Sequence, residues 1–191
     1  MRADKKGPTN YTKDSGDDDR IALIYYKYVN ELYAWGQTFT HDRELIKDCI
    51  QDLFAALIND QEKLQSIRSM KVYLFVSFRN NLIRALKDKN GLSYHSDLSD
   101  DYYDAMRDHS PNRLERYEEH EMRQSKKKLL RNIFRTLSSR QRRIIFLRFY
   151  MKMDYNQICQ VLSLNYQSAR TLVYRSLQKM REAYTQTRVT R

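Results

Sequence analysis

Residues 154–180 read DYNQICQVLSLNYQSARTLVYRSLQKM, and the pattern of this stretch decides the fold. Asp154 stands where a helix N-cap is wanted, ahead of a predicted short helix from Tyr155 to Leu162. Ser163, Leu164 and Asn165 form a three-residue turn, and a last helix is predicted from Tyr166 to about Ala183. Helix, short turn and helix in a basic setting make a helix-turn-helix. Within the last helix, Ala169, Leu172, Val173, Leu177 and Met180 form the stripe expected to be buried. Gln167, Arg170, Thr171, Tyr174 and Gln178 fall on the opposite side, with Ser168 and Arg175 flanking them. Arg and Gln can bond base edges bidentately, and hydroxyls and guanidinium groups can hold phosphates. A face that meets only water is the competing account, and the preceding turn and helix count against it.

Working outward, Leu129, Leu130, Ile133, Phe134 and Leu137 form a helical stripe, and a helix from Arg140 to about Met151 follows the break at Ser138-Ser139. Upstream, the segment Asp88 to Glu121 holds ten acidic and four basic residues with Ser110-Pro111, and it reads as a linker. Before it, Ile21, Ile24, Tyr25, Tyr28, Leu32 and Trp35 mark an amphipathic helix over Arg20 to Trp35. Thr40 is a candidate cap for a second helix carrying Leu45, Ile46, Cys49, Ile50, Leu53, Leu57 and Ile58. After a polar stretch, Asn59 to Ser69, a third helix carries Val72, Phe75, Val76, Phe78, Leu82, Ile83 and Leu86 and ends at Asn90-Gly91. The expected organisation is an N-terminal tail over 1–19, a helical domain over 20–90, a flexible acidic linker over 91–122, a helix-turn-helix domain over 123–185 and a tail over 186–191.

Composition agrees with an all-α chain of two small helical domains. Four glycines and two prolines among 191 residues leave little for turn-rich β architecture, and the glycines are too scattered for a phosphate cradle. Apolar runs fall far short of the roughly twenty residues a membrane span needs, and Met1 to Asp19 lacks the apolar core of a secretion signal. A cytoplasmic location without membrane insertion is therefore expected. The net charge of +11 is unevenly divided: from Arg123 onward 17 Lys/Arg face only Asp154 and Glu182, whereas the preceding residues carry 18 basic and 22 acidic side chains. One part is suited to neutralising phosphates and another to meeting a protein.

Three segments of the C-terminal part, Leu137 to Arg148, Tyr155 to Leu162 and Tyr166 to Leu177, resemble the fourth domain of extracytoplasmic-function sigma factors. The opening Tyr166-Gln-Ser-Ala-Arg170 is similar to Bacteroidetes-type members. Ser138, Cys159 and Ser163 depart from the family's usual Pro, Ala and Gly. The resemblance implies reading of the minus-35 promoter element by Arg142, Gln167, Ser168, Arg170, Thr171, Tyr174 and Arg175. In the N-terminal half, Asp48-Cys-Ile-Gln-Asp-Leu-Phe54 resembles the second-domain signature that docks on core RNA polymerase. Asp48, Gln51, Asp52 and Phe54 are the positions it implies, and the i, i+4 spacing of 48 and 52 beside 51 makes one polar acceptor patch.

Tyr73 to Arg84 is similar to the segment that meets the minus-10 element. Tyr73, Ser77, Asn80, Arg84 and Lys87 advance by one helical turn each, so aromatic, amide and guanidinium groups share a face suited to unpaired bases. Lys63, Arg68, Ser69 and Lys71 are candidates in the preceding loop. The implied partners are core RNA polymerase, through the clamp helices of its largest subunit and the flap of the second-largest, together with promoter DNA and an anti-sigma factor. No small-molecule substrate is implied.

Other chemistry fits less of the chain. Cys49 and Cys159 lie on apolar stripes in different domains and are expected to be reduced core residues. His41, His95, His109 and His120 have no Cys partner at ligand spacing. Asp97, Asp100, Asp101, Asp104 and Asp108 could hold Mg²⁺ for a nuclease, but a flexible acidic segment does not pre-form a metal cage. No catalytic residue, metal or cofactor is expected. A sigma factor uses both halves of the chain; a conventional helix-turn-helix regulator uses one, and a metal-dependent nuclease only the linker.

Overall fold

The apolar spacing of the first third produces the expected helices with different ends. In a computed structural model, which describes residues 15–90 and 117–189, α1 spans Ser15–Gly36, α2 Arg43–Asn59, α3 Gln61–Ser66 and α4 Met70–Asn90. α1 begins at Ser15, inside the stretch read as tail. α3 lies where a polar loop was expected; its Leu64 is buried and anchors the short helix. The N-cap of α2 is Asp42 rather than Thr40. The Leu45 backbone N–H donates to Asp42 Oδ1 at 3.0 Å, while Thr40 Oγ1 accepts from the Asp42 N–H at 3.1 Å and shapes the turn before the cap.

α1, α2 and α4 pack on one another around Leu32, Ile46, Leu53, Leu57, Phe78 and Leu82, all essentially inaccessible to solvent. Gly36 ends α1 at the tightest point of this packing. A Cβ there would stand 2.8 Å from Ile46 Cγ2 and 3.0 Å from Phe78 Cζ, so the glycine is required by close approach.

The C-terminal domain consists of α5 (Tyr117–Arg135), α6 (Ser139–Ile145), a π-helical turn (Phe146–Tyr150), α7 (Tyr155–Leu162) and α8 (Tyr166–Val189). α5 starts within the segment read as linker, and α8 runs past the predicted Ala183 into the segment read as tail. The rest of the linker, with its aspartate cluster, lies outside the described residues. Ser138 and Gln141 close a reciprocal capping box on α6, and Asp154 and Gln157 do the same on α7.

The single helix expected from Arg140 to Met151 is interrupted. The Met151 N–H reaches back to the Phe146 carbonyl at 3.0 Å, and this wider turn lets the adjacent Phe146 and Leu147 both point inward. Ser163 adopts a left-handed conformation, φ 53° and ψ 51°, which ends α7. In α8 the buried stripe is Ala169, Val173 and Ser176, with Leu172 and Met180 half-buried; Leu177, expected inside, is 41% exposed. Ser176 takes that register because its hydroxyl can donate to the Leu172 carbonyl at 2.6 Å.

Every described element is helical, so the all-α, two-domain reading with a C-terminal helix-turn-helix holds. The two domains also meet. Trp35 of α1 packs against Phe39 and Phe75 of its own domain and stacks on Phe146 of the other, with ring centroids 5.6 Å apart. α4 lies along α7.

Two outcomes test this packing. Gly36→Ala should destabilise the protein by about 1–3 kcal/mol through overpacking, measured by urea unfolding. Asp42 is held below its ordinary carboxylate range by its bond to Lys89, 2.6 Å away, and by the Leu45 N–H. The stability it contributes is therefore complete above the unfolded pKa, about 3.9, and is lost as acid titrates the carboxylate through its lower folded value. Asp42→Asn should flatten that acid limb of a stability–pH curve.

Candidate nucleic-acid interface

The turn from Ser163 to Asn165 lays α8 against α5, α6 and α7, burying Ala169, Val173 and Ser176 and leaving the opposite face open. Asn165 Oδ1 accepts from the Ser168 N–H at 2.7 Å, capping α8. Gln167, Ser168, Arg170, Tyr174 and Arg175 are exposed and Thr171 is half-buried, so these six proposed readers lie on one accessible face. Gln178 Nε2 donates to the Tyr174 hydroxyl at 2.8 Å, which braces that ring one turn away. A shallow pocket of about 280 Å³ opens between the start of α6 and the start of α8, lined by Arg140, Gln167, Ser168, Thr171, Leu172 and Arg175. Two guanidinium groups, hydroxyls and an amide around one depression suit a phosphate oxygen. Arg140 was not singled out from sequence; it stands in a run of basic residues, and its approach to α8 depends on how α6 packs.

Arg142 departs from its expected role. It is buried, and its guanidinium donates to the Leu137 carbonyl at 2.7 Å and to Ser139 Oγ at 3.2 Å. Its charge tethers the 137–139 turn to α6 rather than facing DNA.

On α4, Asn80, Arg84 and Lys87 are exposed, with Tyr73 and Ser77 half-buried at the end nearest the other domain. Arg68 is exposed and Ser69 half-buried beside them; the Ser69 carbonyl accepts from the Tyr73 N–H at 3.0 Å. The Lys63 side chain lies outside the described residues. Lys71 is turned across the domain boundary, where its ammonium donates to the Met151 carbonyl. Burial lowers the Lys71 pKa, and the nearby Glu31 opposes that shift.

On α2, Asp48, Gln51 and Asp52 are exposed on one face, as their spacing predicts. Phe54 does not join them: it is 5% exposed and packs edge-on against Tyr25, ring centroids 5.0 Å apart, within the domain core. An aromatic at this register is drawn inward with Leu53 and Leu57. Cys49 is buried between the acidic positions; burial, then the charges of Asp52 and Asp48, push its pKa up to about 11, so the thiol stays protonated and unreactive.

Residues 24–91 match Sigma-70 region 2, and residues 127–180 match Sigma-70, region 4. Together these matches cover most of the chain. The chain belongs to the sigma-70 family. It is a sigma factor of extracytoplasmic-function type, with region 2 holding the α2 and α4 faces and region 4 holding the helix-turn-helix. It is similar to the RNA polymerase sigma factor YlaC of Bacillus subtilis (strain 168), with 22% identity over 175 residues, 89% of this chain and 95% of the relative. Its fold is similar to that of CnrH in complex with the cytosolic domain of CnrY, at a TM-score of 0.51 and 17% identity over 88% of this chain and 89% of the other. It is also similar to the sigma factor RpoE in complex with the anti-sigma factor NepR from Bartonella quintana, at a TM-score of 0.56 and 17% identity over 87% and 98% of the two chains.

Among the described residues, no helix of this sigma factor is long and apolar enough to cross a membrane, and no cluster of three His, Cys, Asp or Glu converges as a metal site. If Arg142 is a tether, Arg142→Ala should lower region 4 stability by about 1.5–3 kcal/mol, the scale of hydrogen bonds to a charged group. Thermal unfolding of the variant reads this directly.

Proposed function

We propose that this sigma factor binds core RNA polymerase through Asp48, Gln51 and Asp52 and directs the enzyme to a two-element promoter. The observation that supports this reading most is the coexistence, in one chain, of an exposed acidic and amide face on α2 with an exposed basic and amide face on α8. The first offers acceptors to Arg and Lys of a protein partner, the clamp helices of the polymerase largest subunit. The second has the chemistry of a major-groove reader. Gln167, Arg170, Thr171 and Tyr174 contact base edges of the minus-35 element, while Ser168, Arg175 and Arg140 hold its phosphates. Tyr73, Ser77, Asn80, Arg84 and Lys87, with Lys63, Arg68 and Ser69 before them, meet the minus-10 element, and Lys71 joins them when released from Met151.

Region 2 extends over 20–90 and region 4 over 123–185, joined by an acidic linker whose charge suits a basic channel of the polymerase. The region 4 domain also meets the flap of the second-largest subunit. The protein works in the cytoplasm, catalyses no reaction itself, is of Bacteroidetes type and is held by an anti-sigma factor; the similar RpoE structure is that of a sigma factor in complex with an anti-sigma factor.

Transcription with purified core polymerase on templates with randomised upstream segments tests the assignment. Promoter-specific transcripts should appear only when the protein is added. Arg170→Ala should relax minus-35 choice at its contacted position by about 1–3 kcal/mol, whereas Asp52→Ala should weaken core binding and leave promoter choice among the remaining transcripts unchanged. Tight duplex binding without polymerase, and no added transcripts, would favour a stand-alone regulator instead.

A further inference from the structure

On the exposed face of α8, Arg170 and Arg175 can only donate hydrogen bonds, so their polarity towards DNA is set by their chemistry. Tyr174 is different. A phenol hydroxyl carries one proton and accepting lone pairs, so it can meet a donor or an acceptor, and its other partner decides which. Tyr174 is 62% exposed. Among the described residues its hydroxyl bonds only to Gln178, whose Nε2 donates to it at 2.8 Å. Side chains on an α-helix lean towards its N-terminus, which is how Gln178 reaches back over one turn to the tip of the ring.

This bond has a direction. Conjugation keeps the phenol proton near the ring plane, on one side of the oxygen or the other. With the Gln178 N–H donating on one side, the proton is left to point from the other, away from the glutamine. The hydroxyl therefore faces outward as a donor.

We propose that Gln178 is a positioning residue that sets the polarity of the Tyr174 hydroxyl and so selects guanine or thymine over cytosine at one base of the minus-35 element. The inference rests on the proposed function, in which Tyr174 meets base edges. In the major groove guanine presents acceptors at N7 and O6 and thymine one at O4, whereas cytosine presents the N4 donor and adenine presents both kinds. A hydroxyl held as a donor satisfies guanine or thymine. Against cytosine it leaves two donors facing each other where water has been displaced, and neither is paired. Gln178 acts through the tyrosine and not by meeting a base itself.

Transcription by purified core polymerase with the full chain, on templates carrying a randomised minus-35 segment, tests this. Tyr174→Phe identifies the contacted position as the one where a preference for guanine or thymine over cytosine, about tenfold in the unaltered protein, disappears. At that position Gln178→Lys, whose ammonium can only donate, should keep the preference. Gln178→Glu, whose carboxylate can only accept, should take up the hydroxyl proton and reverse the preference in favour of cytosine. Gln178→Leu frees the hydroxyl to turn and should bring the ratio within about twofold of unity. Changes in overall affinity that lysine or glutamate cause through the phosphates are common to all templates and cancel from these ratios. In the Tyr174→Phe background no change at Gln178 should move the ratio. The proposal is overturned if Tyr174→Phe alters no position, if Gln178→Glu leaves the preference as it was, if Gln178→Lys reverses it, or if changes at Gln178 still act in the Tyr174→Phe background. In each of those cases transcripts would still depend on the protein, and the proposed function would stand. If no transcript depended on it, the proposed function would fall and the proposal with it.

Discussion

The aromatic contact of Trp35 with Phe146 is the constraint on which the arrangement of this protein depends. Trp35 is fully buried at the end of α1, where Phe39 and Phe75 line its own domain and Phe146 comes from the other. Burying an indole contributes a few kcal/mol through lost apolar surface alone. Because part of that area is supplied across a domain boundary, the first domain's core is completed by the second. The folds of the two domains and their relative position are thus coupled through one side chain.

The local structure around that contact follows. Gly36 must lack a side chain so that α1 can end against Ile46 and Phe78. The chain then turns through Thr38, whose hydroxyl donates to the Trp35 carbonyl at 2.7 Å, leaving its own carbonyl facing Arg143. On the opposite side, the π-helical turn brings Phe146 and Leu147 inward together and leaves Phe149 exposed. A regular helix would rotate one of the two buried residues away from the junction.

The helical class and the exposed polar faces of α2 and α8 were legible in the sequence because they rest on local periodicity. The acceptor patch at Asp48, Gln51 and Asp52 and the exposed basic and amide face of α8 need only a 3.6-residue repeat to be drawn. Residues whose roles depend on packing were not legible. Phe54 and Arg142 belong to the right motifs by spacing, but one is drawn into a core and the other into a turn. Arg140 joins the α8 pocket, and Lys71, Arg79 and Arg143 cross the boundary, through contacts between distant parts of the chain. Helix ends shifted for a related reason: Asp42 outcompetes Thr40 as a cap because it presents its carboxylate to the Leu45 N–H.

Ser163 shows how closely local folding and domain arrangement are joined. A left-handed backbone suits glycine, and a serine there costs about 1 kcal/mol of strain. Its hydroxyl, however, is what Arg79 reaches from the other domain. A change to glycine would relax this turn and remove the hydroxyl, so the robustness of region 4 and its bond to the other domain are set against each other at a single oxygen atom.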